Sequence, residues 1–181
     1  RAMQELGSQL KPAIADETGK ALAKARTRDS MSAFSKLTKV VDGHVRIADQ
    51  APLIVPLVDL VSEGERGALF ESLDKLLREY RHTLEIDRRL ALDQFELADF
   101  ARKVVGVGSV GTRSWIALML GRDSQDPLFL QVKEAEASVL EEHLGASEFS
   151  NHGQRVVSGQ RLMQAASDIF LGWLRDPGID G

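Results

Sequence analysis

Several features that are common in proteins are scarce or absent in this chain of 181 residues. Cysteine is missing, so the chain forms no disulfide and no thiolate zinc site, and it fits the reducing cytoplasm, where we expect it. No run of about 20 apolar residues occurs, so no hydrophobic helix is predicted to cross a bilayer. The net charge of −4 gives no general attraction to nucleic acid or to an anionic membrane, and we expect neither as a partner.

What is present is the composition of a globular protein, with 43% hydrophobic and 28% charged residues. The length fits one domain, or one domain with an appendage. The chain begins at Arg1 rather than Met and ends in the turn-like stretch DPGIDG, so we expect a piece of a longer protein, truncated at both ends. We assign residues 1–93 to a helical segment with a β-hairpin at 38–47, and residues 94–181 to a glycine-loop sheet with a long helix. The alternative is one compact unit, and the oligomeric state is left open.

Two local signals mark the beginning of the first segment. Residues 16–36 predict a helix with a polar, basic face and a thin apolar side, which needs a partner surface. Asp42-Gly43 then lies between two short β-branched runs. This pair favours a hairpin, because a type I′ turn needs positive φ at both central residues.

The rest of the first segment predicts an edge strand and two helices. Pro52 and Pro56 limit the apolar run around them to an extended edge or a connection. Leucines and a tyrosine at helical spacing then predict an amphipathic helix over 65–82, and a shorter helix follows over 85–93.

Two turn signals divide residues 95–133 into three strand-like runs. The first turn carries the spacing Gly106-x-Gly108-x-x-Gly111, and the second covers residues 121–127. We therefore predict an antiparallel three-stranded meander. Its strands lead up to Gly106, run from Thr112 to Leu120, and run from Leu128 to Lys133.

A long helix is predicted over 154–174, with Ser150 or Asn151 near its start and Asp176-Pro177-Gly178 at its end. We expect its apolar side to cover one face of the meander. That side consists of Val157, Met163, Phe170 and Trp173. The predicted fold class is α+β: an antiparallel sheet with a glycine-rich hairpin loop, packed by helices and resembling the N-terminal lobe of a protein-kinase-like fold.

The glycine spacing belongs to two different phosphate-binding structures. In dinucleotide-binding proteins it turns a strand into a helix, and an acid about 20 residues further on binds the ribose. Glu134 has that spacing, but residues 112–120 are few for a parallel crossover and include strand formers. In kinases the glycines join two antiparallel strands above the phosphates of ATP, and a lysine on the third strand contacts those phosphates. Lys133 ends the predicted third strand, so we favour the kinase-like arrangement.

The predicted nucleotide-binding residues are Gly106, Gly108, Ser109, Gly111 and Lys133, with ATP and Mg²⁺ as the expected ligands. The alternatives are a plain hairpin turn and a lysine that reaches solvent. A kinase-like site also needs an acid on the following helix to hold the lysine. Residues 154–167 contain no acid, so the partner of the lysine is undetermined.

Other patterns predict no catalytic residue and no metal site within the chain. The four histidines have no metal-ligand spacing. Asp99-Phe100-Ala101 differs from the Asp-Phe-Gly loop of kinases, because alanine replaces the glycine and the stretch precedes the glycine loop.

Longer stretches of the sequence resemble a bacterial family of uncharacterised proteins, domain of unknown function 2252. These stretches span nearly the whole chain: VVGVGSVGTRSW, DPLFLQVKEAEASVLE, GQRVVSGQRLMQAASDIFLGW, ARTRDSMSAFSKLTKVVDGHVRI and PLIVPL. Members of that family are longer, and they usually carry an upstream Gly-Asp-x-His-x-x-Asn stretch and an Asp-Phe-Asp-like stretch. These resemble the catalytic and metal-binding loops of phosphotransferases similar to aminoglycoside kinases, in a permuted order. This chain contains neither stretch.

The resemblance and the glycine loop together predict part of a kinase-like, ATP-binding phosphotransferase of unknown substrate, inactive when isolated. It would contribute the phosphate-covering loop and the lysine but no catalytic loop. One alternative is a non-catalytic binding or structural module on a kinase-like fold. A dinucleotide-binding oxidoreductase is the less favoured alternative.

Overall fold

Strands and helices share the chain in a mixed α+β arrangement, and the computed structural model describes residues 34–104, 111–122 and 126–175 of it. The strands are β1 Thr38–Val41, β2 His44–Ile47, β3 Ile54–Pro56, β4 Glu96–Lys103, β5 Ser114–Leu120 and β6 Pro127–Lys133. The helices are α1 Arg66–His82, α2 Ile86–Leu92, α3 Glu141–Leu144 and α4 His152–Met163, with short 3-10 helices at Leu57–Asp59 and Glu63–Glu65.

The predicted hairpin is confirmed. Strands β1 and β2 pair antiparallel, with Val41 opposite His44. Asp42 and Gly43 have φ values of 51° and 77°, which is the positive pair that a type I′ turn requires. Of the helix predicted just before it, residues 34–36 are described and are helical, whereas 16–33 lie outside the described residues.

The predicted meander is confirmed as part of a four-stranded antiparallel sheet with the order β3-β4-β5-β6. Ile116 of β5 lies opposite Ala101 of β4 on one side and Gln131 of β6 on the other. Strand β3 lies at one edge of the sheet, and its Pro56 is opposite Ala101. This position agrees with the prediction from the prolines. The sheet thus contains strands from both sides of the boundary that we drew after residue 93.

Each face of the sheet is covered by a different layer. On one face, Ile47 of the hairpin and Ile54 pack with Ile116 and Leu118, and Phe34 packs against this cluster. On the other face, Leu84, Leu92 and Met119 are buried together, with side chains of α1 and Phe170 against them. The central strand β5 is therefore enclosed on both faces, which agrees with its nearly continuous apolar sequence.

The prediction of one long helix over 154–174 is wrong in its extent. Asn151 caps α4, and its side chain accepts a hydrogen bond from the Gln154 N–H at 2.9 Å, but the helix ends at Met163. Gln164 has an extended backbone, with φ −92° and ψ 134°. The following chain, which we call the return segment (164–175), folds back along α4.

Tertiary contacts explain why the return segment leaves the helix. The Tyr80 hydroxyl donates to the Phe170 carbonyl, and the Trp173 N–H donates to Thr83 Oγ1 at 3.1 Å. The Arg161 guanidinium donates to the Leu171 carbonyl at 2.7 Å. Three bonds, to α1, to Thr83 directly after it and to α4, thus replace the helical bonds that the sequence pattern predicted.

The expected apolar side of this helix also divides in two. Val157 is buried and Phe170 packs against the second core cluster. Met163, by contrast, is 89% exposed at the end of α4. Trp173 is half-buried, and the Arg161 guanidinium lies 5.9 Å from the centre of its ring.

Candidate functional site

The glycine segment joins β4 to β5 at one end of the sheet, which we call the loop end. Gly106, Gly108 and Ser109 lie outside the described residues. Gly111 is described and has φ +93°, a conformation that other residues rarely adopt. A Cβ at this position would meet nothing within 4 Å, so the backbone conformation, and not crowding, is what favours glycine here.

Lys133 ends β6 at the loop end, as predicted. It lies directly opposite Ser114, which is three residues after Gly111, and its side chain is exposed. Ser114 is 2% exposed, and its hydroxyl donates to the Val132 carbonyl at 3.3 Å. The structure therefore brings Lys133 next to the residues that immediately follow the glycine segment.

No acid of the described residues is paired with the Lys133 side chain. The acids that flank α4 have other contacts: Glu141 lies 3.9 Å from the Arg155 guanidinium, and Asp168 accepts a hydrogen bond from the Phe170 N–H at 2.7 Å. The lysine–acid pair of active kinases is therefore not formed by the part of the chain that is described.

The neighbouring acid, Glu134, is bound to Arg113 instead. The Arg113 Nη2 and Nε donate to Glu134 Oε1 at 2.6 Å and 3.0 Å, and the Arg113 N–H donates to Oε2 at 2.9 Å. These bonds lower the pKa of Glu134 below its ordinary value. Because successive residues of a strand point to opposite faces, this pair lies on the face away from Lys133. From the sequence, Glu134 was predicted only as a possible ribose-binding acid, and its pairing with Arg113 was not predicted.

The loop end carries an excess of positive charge among the described residues. Arg102 and Lys103 end β4 and Lys133 ends β6, while the Arg113–Glu134 pair is internally neutral. The remaining acid nearby is Glu136, three residues beyond Lys133. A local excess of cations attracts anionic ligands even in a chain whose net charge is −4.

Asp99 is a buried acid whose burial was not predicted from the sequence. It lies in β4 with 1% exposure. Its Oδ2 accepts the Ile47 N–H at 2.8 Å and its Oδ1 accepts the Phe100 N–H at 2.9 Å. Burial raises the pKa of Asp99 above its ordinary value, although these two bonds and the nearby Arg46 oppose that change. The contacts give Asp99 a structural role, since they tie strand β2 to the sheet.

The described residues contain no group of three or more histidine, aspartate or glutamate side chains that could hold a metal ion. No helix within the described ranges is both long enough and apolar enough to cross a membrane. The candidate site among the described residues is therefore an anion site at the loop end. It consists of Gly111, Lys133 and the neighbouring cations Arg102 and Lys103.

Comparison with known proteins gives a family match. No curated protein and no solved structure matches the chain. A family described as an uncharacterized protein conserved in bacteria matches residues 2–180. Because the match covers almost the whole chain, this protein belongs to that family, domain of unknown function 2252.

Proposed function

We propose that this chain is the nucleotide-binding part of a kinase-like phosphotransferase. Gly106, Gly108, Ser109 and Gly111 cover the phosphates of Mg-ATP, and Lys133 contacts those phosphates from the end of β6. One observation carries the proposal: the strands on either side of the glycine segment pair antiparallel with each other, and the next strand places Lys133 opposite Ser114. Kinases use this order of strand, glycine loop, strand and lysine-bearing strand.

The strand arrangement also counts against dinucleotide binding. That function needs a helix directly after the glycines and a parallel pairing of the flanking strands. Residues 114–120 instead form a strand, and both of its neighbours are antiparallel to it. The acid that was considered for the ribose, Glu134, is bound to Arg113.

A second candidate function is a non-catalytic module on a kinase-like fold, which binds a partner or serves as structure. The observation that favours it is the absence of an acid beside Lys133 within the described part of the chain. Active kinases hold the corresponding lysine with a glutamate, so that its ammonium group is fixed on the phosphates. Here the nearest acid in sequence, Glu134, is engaged with Arg113 on the opposite face.

Titration of the 181-residue chain with Mg-ATP, followed by heteronuclear NMR, tests the proposal. We expect a dissociation constant of the order of millimolar, because phosphate contacts contribute here without a separate metal-binding loop. Lys133→Met should weaken binding by about 10- to 100-fold, since a lost charged contact costs about 1.5 to 3 kcal/mol. Gly108→Val should also weaken it, because a side chain there would keep the backbone amides away from the phosphates.

Lys75→Met is the matched control. Lys75 is an exposed lysine on α1, which covers a face of the sheet away from the loop end, so this variant removes the same charge elsewhere. Binding that Lys133→Met and Gly108→Val both leave unchanged would locate the nucleotide at another site. No binding up to about 10 mM would favour the non-catalytic module.

A further inference from the structure

A second lysine lies in the same row of the sheet as Lys133. Ala101 lies opposite Pro56 and Ile116, and Lys103 is two residues further along β4, opposite Ile54. Ser114 is two residues before Ile116 on β5 and lies opposite Lys133. Directly opposed residues share a face, and residues two apart on a strand do so too. Lys103, Ser114 and Lys133 therefore form one row on one face, across three adjacent strands.

The spacing within this row suits a chain of linked phosphates. Neighbouring strands are about 4.8 Å apart, so the backbones at Lys103 and Lys133 are roughly 10 Å apart with β5 between them. Ser114, the residue between them, is buried and its hydroxyl donates to the Val132 carbonyl, so it places no charge between the two lysines. Two ammonium groups on flexible four-carbon stems can therefore approach one ligand from opposite sides.

Neither Lys103 nor Lys133 has a hydrogen bond or an ion pair with another described side chain. Lys133 is exposed and Lys103 is partly exposed. The closest acid in sequence, Glu134, is occupied by Arg113 on the other face.

We propose that Lys103 and Lys133 together hold a polyphosphate chain, each lysine contacting a different phosphate group. The ligand class is a nucleoside triphosphate or an inorganic tripolyphosphate, because such a chain offers each lysine a phosphate group of its own and carries more negative charge than a single phosphate. Lysine binds phosphate as a point charge, so two separated lysines discriminate by the length of the phosphate chain. The inference rests on the proposed function for the location of the phosphates and adds both Lys103 and selectivity for chain length.

The experiment titrates the full chain with ATP, AMP, inorganic tripolyphosphate and inorganic phosphate, and NMR follows the lysine Cε–Hε signals. The proteins are the unchanged chain, Lys103→Met, Lys133→Met and the Lys75→Met control. We expect ATP and tripolyphosphate to bind the unchanged chain at least about 10-fold more tightly than AMP and phosphate. Each loop-end substitution should weaken the longer ligands by about 10-fold, and Lys75→Met should leave them unchanged. Circular dichroism checks that every variant is folded.

The outcomes separate this inference from the proposed function. If ATP binding depends on Lys133 but is the same in Lys103→Met, the two-lysine inference is overturned and the proposed function stands. If tripolyphosphate binds through both lysines and ATP binds no more tightly, the two-lysine site stands without support for a nucleotide function. If neither ligand binds, both proposals are overturned.

Discussion

Asp99 is the buried acid among the described residues. What disfavours its charged form and what favours it can be named separately. Burial penalises the charged form, while the N–H groups of Ile47 and Phe100 each donate to one of its oxygens. The Arg46 guanidinium donates to the Ala98 carbonyl at 2.9 Å beside it, and its charge lowers the pKa of Asp99, whereas the charge of Asp59 raises that pKa. The sequence contained a signal for this residue, an acid in a strand whose neighbours on the same face are apolar. Its partner Ile47 lies in β2, which belongs to a different sheet from β4, so only the packing of the hairpin on the sheet reveals this contact.

The pH dependence of stability tests the environment of Asp99. Its pKa is raised in the folded state above the ordinary value of 3.8, so the folded protein keeps this proton at pH values where the unfolded chain has released it. The contribution of Asp99 to the free energy of unfolding therefore falls as the pH rises from about 3.8 through the folded-state pKa, and is level above it. Urea denaturation from pH 4 to pH 7 measures this fall as the difference between the unchanged chain and Asp99→Asn.

The Asp99→Asn variant is the reference because it cannot titrate. We expect it to cost about 1 to 3 kcal/mol at pH 4, since an amide NH₂ group would replace one oxygen that accepts an N–H. The difference in the free energy of unfolding between the unchanged chain and Asp99→Asn should then narrow as the pH rises. The contributions of the other acids are the same in both proteins and cancel in this comparison. Glu134 is one of them, and because its pKa is lowered, its contribution to the free energy of unfolding rises with pH. A difference that stays constant over the whole range would show that the pKa of Asp99 is not raised.

At the scale of the element, local signals predicted most of the fold and tertiary contacts decided the rest. The hairpin, the helices α1 and α2 and the meander follow from turn residues and periodicity within short windows. Residues 164–175 contain a helical pattern too, but Tyr80 and Thr83 on a distant element bind their backbone groups. In the candidate site, the place of Lys133 at the end of a strand followed from the turn signal that precedes that strand and from its apolar run. The alignment of Lys133 with Lys103 could not be predicted in this way, because the alignment depends on the registers of three strands.

The sequence pattern predicted Met163 and Trp173 on one apolar side of a long helix, whereas the structure ends α4 at Met163. Substitutions at these two residues distinguish the two arrangements. Trp173 is half-buried against α4 and has the Arg161 guanidinium 5.9 Å from its ring centre, so Trp173→Ala should lower the free energy of unfolding by about 2 to 3 kcal/mol. Met163 is 89% exposed, so Met163→Ala should change it by less than about 0.5 kcal/mol. Chemical denaturation measures both. Equal losses in the two variants would contradict the early end of α4.

Two glycines with open space around them should respond to alanine in opposite ways. Gly111 has φ +93°, so Gly111→Ala should destabilise the fold by about 1 kcal/mol or more through backbone strain. Gly159 lies inside α4, and a Cβ there would also meet nothing within 4 Å. Gly159→Ala should therefore stabilise by up to about 1 kcal/mol, as a better helix former. Thermal denaturation compares the pair, and a loss of stability in Gly159→Ala would contradict a regular helix at that position.

At the scale of the whole molecule, the layers on the two faces of the sheet differ in how firmly they are attached. The helical layer and the return segment bury Leu84, Leu92 and Met119 and are joined by several side-chain hydrogen bonds. The hairpin layer is smaller, and a cleft of about 320 Å³ separates part of it from α1 and the sheet. Stability is not uniform within a fold, and a small layer beside a cleft is expected to open more readily than the enclosed strand β5.

Hydrogen exchange followed by mass spectrometry tests this order of stability. Arg46 joins the hairpin to both other layers, since its guanidinium donates to the Ala98 carbonyl at 2.9 Å and lies 5.8 Å from the centre of the Phe70 ring. Arg46→Met should therefore raise the exchange rate of the β1–β2 amides by about 10-fold, because such contacts contribute about 1 to 2 kcal/mol. The amides of β5 should exchange last and change little. Lys39→Met is the matched control, since Lys39 lies opposite Arg46 in the hairpin and is exposed. Equal acceleration in β5 and in the hairpin would mean that the layers open together, and that the hairpin is an integral part of one cooperative core.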